Sequence, residues 1–80
     1  MSSQHPPLTY KDVIRGLKKL GFIQRPKTAT THEQCVKTKD GRFYKVTVDF
    51  SKSPYSHDLI KSMASQAGVS KKDFYDACLG

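Results

Sequence analysis

The residues best suited to chemistry in this chain are His32, Asp49, Lys27 and Lys45. An imidazole is the ordinary side chain that titrates closest to neutral pH, so His32 is the natural group to take or give a proton. A carboxylate beside an imidazole fixes its tautomer and favours its cation, the role open to Asp49. Lysine ammonium groups stabilise negative charge developing on a phosphate. Such a set suits the cleavage of RNA. The substrate brings its own nucleophile, the 2′-hydroxyl, and the protein has only to move a proton, neutralise the phosphate and position the groups. That chemistry requires no metal and no cofactor.

A β-hairpin is what must bring His32 to Asp49. Asp40-Gly41 lies between two β-prone runs, Thr31–Val36 and Phe43–Phe50, and an Asp-Gly pair so placed is a strong signal for a two-residue primed turn. Counting outward from that turn sets Cys35 opposite Val46, Glu33 opposite Val48 and Thr31 opposite Phe50. On the other face Val36 meets Lys45, Gln34 meets Thr47 and His32 meets Asp49. Cys35, Tyr44, Val46, Val48 and Phe50 then form an apolar inward face. His32, Gln34, Lys45 and Thr47 form a polar outward one, as in an antiparallel sheet covered on one side.

Helices must supply the cover. Thr9-Tyr10-Lys11-Asp12 is a capping box, with Leu8 and Val13 placed as a hydrophobic staple. Tyr10, Val13, Ile14, Leu17 and Leu20 follow helical spacing up to Gly21, a left-handed stop. Lys11, Arg15 and Lys18, with Lys19 beside them, make a basic stripe on this helix. Phe22–Arg25 is a short strand that Pro26 confines to an edge. Ser56 caps a second helix with Leu59, Ile60, Met63, Ala64 and Ala67 on its core side and Gly68 at its end. His57, in its first turn, reads as a surface residue. Ser70-Lys71-Lys72-Asp73 is a further capping box, opening a short last helix with Phe74, Ala77 and Cys78 inward.

The expected fold is therefore α+β: one helix, a three-stranded antiparallel sheet, a second helix and a short C-terminal helix. A tail over residues 1–8, which includes His5, precedes a single domain over residues 9–78. The 80 residues carry a formal charge of +7, from fourteen Lys and Arg against seven Asp and Glu. Such an excess favours polyanions or acidic proteins as partners. Cys35 and Cys78 are far apart and without metal-type spacing, so both read as buried thiols in a reducing, cytoplasmic setting. No apolar run approaches membrane-spanning length, and no membrane partner is expected.

From about Tyr10 to Gly68 the chain resembles the HicA-type toxins of bacterial type II toxin–antitoxin systems. The matching pieces are Leu17-Lys18-Lys19-Leu20-Gly21-Phe22, Thr31-His32 where the family has Ser-His, and Asp40-Gly41-Arg42. Val46-Thr47-Val48, Leu59–Met63 and Gln66-Ala67-Gly68 continue the match. The resemblance implies a fold like that of double-stranded-RNA-binding domains and a metal-independent endoribonuclease acting on mRNA. It implies a HicB-like antitoxin as protein partner. It maps the single catalytic histidine onto His32 and gives Thr31 the role of hydroxyl contact to phosphate. Lys27 and Lys45 stand as further RNA contacts, and Asp49 as orienter of the imidazole. Ala29-Thr30-Thr31 departs from the family pattern, which carries a glycine before the Ser-His pair. The alternative is a non-catalytic nucleic-acid-binding module. It would bind RNA, or it would bind DNA through residues 63–78, where Gly68 and Ser70 sit as in a helix-turn-helix.

Overall fold

Asp40 and Gly41 take φ angles of 52° and 78°. Both lie in the left-handed region, as a primed two-residue turn demands. That turn sets the register of β2 (His32–Lys39) against β3 (Arg42–Asp49), with Lys39 opposite Arg42 and His32 opposite Asp49. The intervening pairs, including Cys35–Val46 and Glu33–Val48, are those obtained by counting outward from the turn. The computed structural model describes residues 7–25 and 32–80. The expected Thr31–Phe50 pair therefore lies outside the described residues.

A two-residue strand, β1 (Ile23–Gln24), pairs antiparallel with β2, so the sheet order is β1-β2-β3 and β1 is an edge strand, as expected. Helix α1 (Tyr10–Lys19) begins in the Thr9–Asp12 capping box. The polypeptide then turns at Gly21, whose φ is 95°. Helix α2 (His57–Ala67) starts from a Ser56 cap and ends at left-handed Gly68, and α3 (Lys71–Leu79) starts from a Ser70 cap. All three helices lie on one side of the sheet. Their Val13, Leu17, Ile60, Met63 and Phe74 side chains share a core with Cys35, Val46 and Val48. The α+β helix–sheet–helix architecture is thus present, with the extra C-terminal helix.

Helix α3 nests chiefly against α1. At the crossing, Gly16 meets Cys78 so closely that a Cβ on residue 16 would come 2.8 Å from the Cys78 Cα. Arg15 donates to the Cys78 carbonyl at 2.7 Å, and Lys19 donates to the carbonyl of Gly80. Cations there complement the negative end of the α3 dipole and occupy carbonyls that have no helical partner. Arg15 of the basic stripe and Lys19 beside it are therefore engaged within the fold.

Three details differ from the sequence expectation. Leu8, assigned to the tail, is fully buried and bridges to Tyr55, whose N–H donates to the Leu8 carbonyl at 2.9 Å. Phe50 leaves the strand for a 3₁₀ turn over Phe50–Lys52 and stays partly exposed, its ring edge-on to Tyr10. Tyr75, rather than Ala77, joins Phe74 and Cys78 as a buried residue of α3.

Candidate active site

The end of β3 sets the site. Asp49 is the last strand residue, and its side chain turns back to cap the 3₁₀ turn that follows. Its Oδ1 accepts the Ser51 N–H at 3.0 Å and the Ser51 hydroxyl at 2.6 Å. Short polar side chains that bond the main chain two residues on are a recurrent way of fixing a turn. The Tyr55 hydroxyl donates to the Asp49 main-chain carbonyl at 3.0 Å. Burial, then the charges of Asp49 and Glu33, push the Tyr55 phenol up to about 12, so it remains a donor throughout the physiological range.

Held in this way, Asp49 presents Oδ2 to His32 Nε2 at 3.3 Å. The carboxylate is 15% exposed and the imidazole 56%. The carboxylate is thus sheltered while the ring meets solvent. An Nε2–H directed at the carboxylate leaves Nδ1 as the basic nitrogen of the neutral ring. The pair has the groups that general acid–base chemistry uses.

His32 is anchored from beneath by its chain neighbour. Glu33 points inward and is 4% exposed, the one charged residue in the buried set of described residues. Its carboxylate accepts from the Tyr10 hydroxyl and, at 2.6 Å, from Gln24 Nε2. Hydrogen bonds of this kind are what make a buried carboxylate tolerable. Glu33 thereby ties α1 and β1 to the start of β2.

The other expected contacts distribute as follows. Thr31 and Lys27 lie outside the described residues. Lys45 is exposed on the outer face with His32, but it pairs with Val36, two cross-strand rows from the His32–Asp49 pair. At about 3.3 Å per residue along β3 the separation from Asp49 is roughly 13 Å, so Lys45 is not part of the His32–Asp49 cluster. A cation closer to the site is Lys52, which lines a cavity of about 140 Å³ with Asp49, Thr47 and Gln66 between β3 and α2. Gln66 closes that edge of the sheet, its Oε1 accepting the Thr47 N–H at 3.0 Å.

Neither cysteine competes as a nucleophile. Burial, reinforced by Glu33, raises the Cys35 thiol to about 11, and burial raises the Cys78 thiol to about 12. Thiols so shifted are inert at neutral pH. On α3, Lys72 sits 3.2 Å from Asp76, and the Tyr75 hydroxyl lies 3.4 Å from His57 Nδ1 at the start of α2.

Ser51, Lys52 and Tyr55 were not singled out from the sequence. Asp49-x-Ser51 carries an Asx-turn signal that could have identified Ser51. No local pattern announces Tyr55, which reaches Asp49 only through the fold. Comparison with family models, with curated proteins and with solved structures gives no match for this chain.

Proposed function

We propose that this protein is a metal-independent endoribonuclease that acts on mRNA as the toxin of a type II toxin–antitoxin system. The observation that carries the reading is the His32–Asp49 pair, with the carboxylate clamped by Ser51 and the imidazole 56% exposed. The resemblance to HicA toxins, centred on Thr31-His32, and the charge of +7 support it further.

In this reaction His32 Nδ1 takes the proton of the 2′-hydroxyl while Nε2–H stays directed at Asp49. The 2′-oxygen bonds to phosphorus and the bond from phosphorus to the 5′-oxygen breaks. The departing 5′-oxygen receives a proton from solvent, and the imidazolium returns its own proton to water. Lys52, with Thr31 on the resemblance and Lys27 on the sequence reading alone, balances the charge that gathers on the phosphoryl oxygens. The products are a 2′,3′-cyclic phosphate and a 5′-hydroxyl. A HicB-like antitoxin is the protein partner of this reading, and the cytoplasm its setting.

The test is to incubate the purified protein with a long RNA in excess EDTA and to identify the new ends. Cyclic phosphate and 5′-hydroxyl ends are the expected result. Ends bearing a 5′-phosphate would exclude attack by the 2′-oxygen. Binding without cleavage would leave the non-catalytic module.

A further inference from the structure

Ile23 and Phe43 are the most exposed large apolar side chains among the described residues, at 70% and 62%. Both stand on the face of the sheet that carries His32. Apolar groups gathered on one face within a polar surround mark a contact surface. The register arranges this face in rows. His32 and Asp49 lie at one end, Ile23, Val36 and Lys45 cross the middle, and Phe43 stands beside Thr38 at the hairpin end. Arg25 continues the line of β1, its N–H bonded to the Gln34 carbonyl at 2.8 Å. Side-chain alternation puts Arg25 on the same face as Ile23. The helices pack against the opposite face, so none of them covers these residues.

We infer that this open sheet face is a track for single-stranded RNA, running from Phe43 to His32. A base stacks on Phe43, and Arg25 and Lys45 hold backbone phosphates on either side of the apolar Ile23–Val36 strip. The assignment rests on the RNA-cleaving reading only for what happens at the His32 end. An aromatic face interleaved with cations is the chemistry that holds an unpaired strand, because every base offers a π-face whatever its identity. A paired base has both faces covered by its neighbours and cannot use Phe43. The basic stripe of α1 is a weaker claimant for a duplex backbone, since Arg15 and Lys19 are directed to carbonyls at the end of α3. From Phe43 to Asp49 the path is roughly 20 Å at about 3.3 Å per residue, enough for several extended nucleotides.

Binding is measured on full-length protein carrying His32→Ala, so that cleavage plays no part, by fluorescence anisotropy of a labelled twelve-nucleotide RNA over a range of salt concentrations. Phe43→Ala is expected to weaken binding about five- to a hundredfold, with Phe43→Tyr close to the parent. Arg25→Ala and Lys45→Ala should each reduce the salt slope by about 0.7, the value for one phosphate contact on a single strand. A duplex of the same sequence should bind more weakly than the single strand. Equal affinity of folded Phe43→Ala and parent would overturn the inference and leave the face to a protein partner. So would a parent that binds no RNA, or one that prefers the duplex. Phe43-dependent binding by a protein that never cleaves would remove the catalytic reading and leave the track standing.

Discussion

Asp49 gives one carboxylate oxygen to His32 and the other to Ser51. Oδ2 lies 3.3 Å from the imidazole Nε2, while Oδ1 takes both the N–H and the hydroxyl of Ser51. The cap that starts the 3₁₀ turn therefore also aims the group that aims the histidine. The carboxylate that faces the ring is held by the turn at the end of β3 and does not rotate freely.

Ser51→Ala keeps the main-chain bond to Oδ1 and removes the hydroxyl bond. Its cost in stability should be about 1 kcal/mol by denaturant titration. The kcat for RNA cleavage should fall with KM unchanged, and by less than with Asp49→Asn, which weakens the acceptor itself. A KM effect with constant kcat would place Ser51 in substrate binding instead.

Tyr10→Phe tests the anchor beneath the site. Among the described residues it removes one of the two side chains bonded to the buried Glu33 carboxylate and leaves Gln24. Under-satisfaction of a buried charge costs about 1–3 kcal/mol, to be read from urea denaturation. Glu33→Gln combined with Tyr10→Phe should recover part of that loss, since the charge is then gone.

Two glycines should resist substitution for different reasons. Gly68→Ala meets both a left-handed φ of 76° and the Tyr44 ring, whose Cε1 would lie 2.7 Å from the new Cβ. Gly16→Ala meets the Cys78 sulfur as well as its main chain, the Cα at 2.8 Å, and α3 must move away to admit it. Each should lower stability by about 1–3 kcal/mol, and Gly16→Ala should also speed proteolysis at the C-terminus.

Alkaline pH should weaken the fold. Cys35 and Cys78 rise from 9.0 to about 11 and about 12, and Tyr55 from 10.0 to about 12. Above pH 9 the unfolded chain has lost protons that the folded one keeps, so it binds fewer and is favoured. This contribution to stability is whole below pH 9 and is lost as pH rises towards 12. Each group adds a slope of up to about 1.4 kcal/mol per pH unit, measurable by denaturant titration across that window. Cys35→Ala should flatten the part between pH 9 and 11.

The hairpin was legible because one turn dictates it. Once Asp40-Gly41 is a primed turn, strand alternation places His32 opposite Asp49 with no further information. The capping box at Thr9 and the N-cap at Ser70 were equally local and equally readable, although only the Ser70 half of the second expected box is formed. The register placed Glu33 opposite Val48, but not its partners Tyr10 and Gln24, which come from elements distant in sequence. Leu8 was misassigned because its burial depends on Tyr55, and Phe50 because the Asp49 cap ends the strand one residue early. Patterns within a few residues declare themselves, whereas contacts made by docking one element on another do not.

The most direct measurement is the rate of RNA cleavage in excess EDTA by the parent protein and by His32→Ala, their folding matched by circular dichroism. Proton transfer by a positioned side chain contributes about 10²- to 10⁴-fold, so His32→Ala should lose that much of the rate while remaining folded. Equal cleavage by the two proteins, or none by either, would contradict the assignment of His32 as the catalytic base.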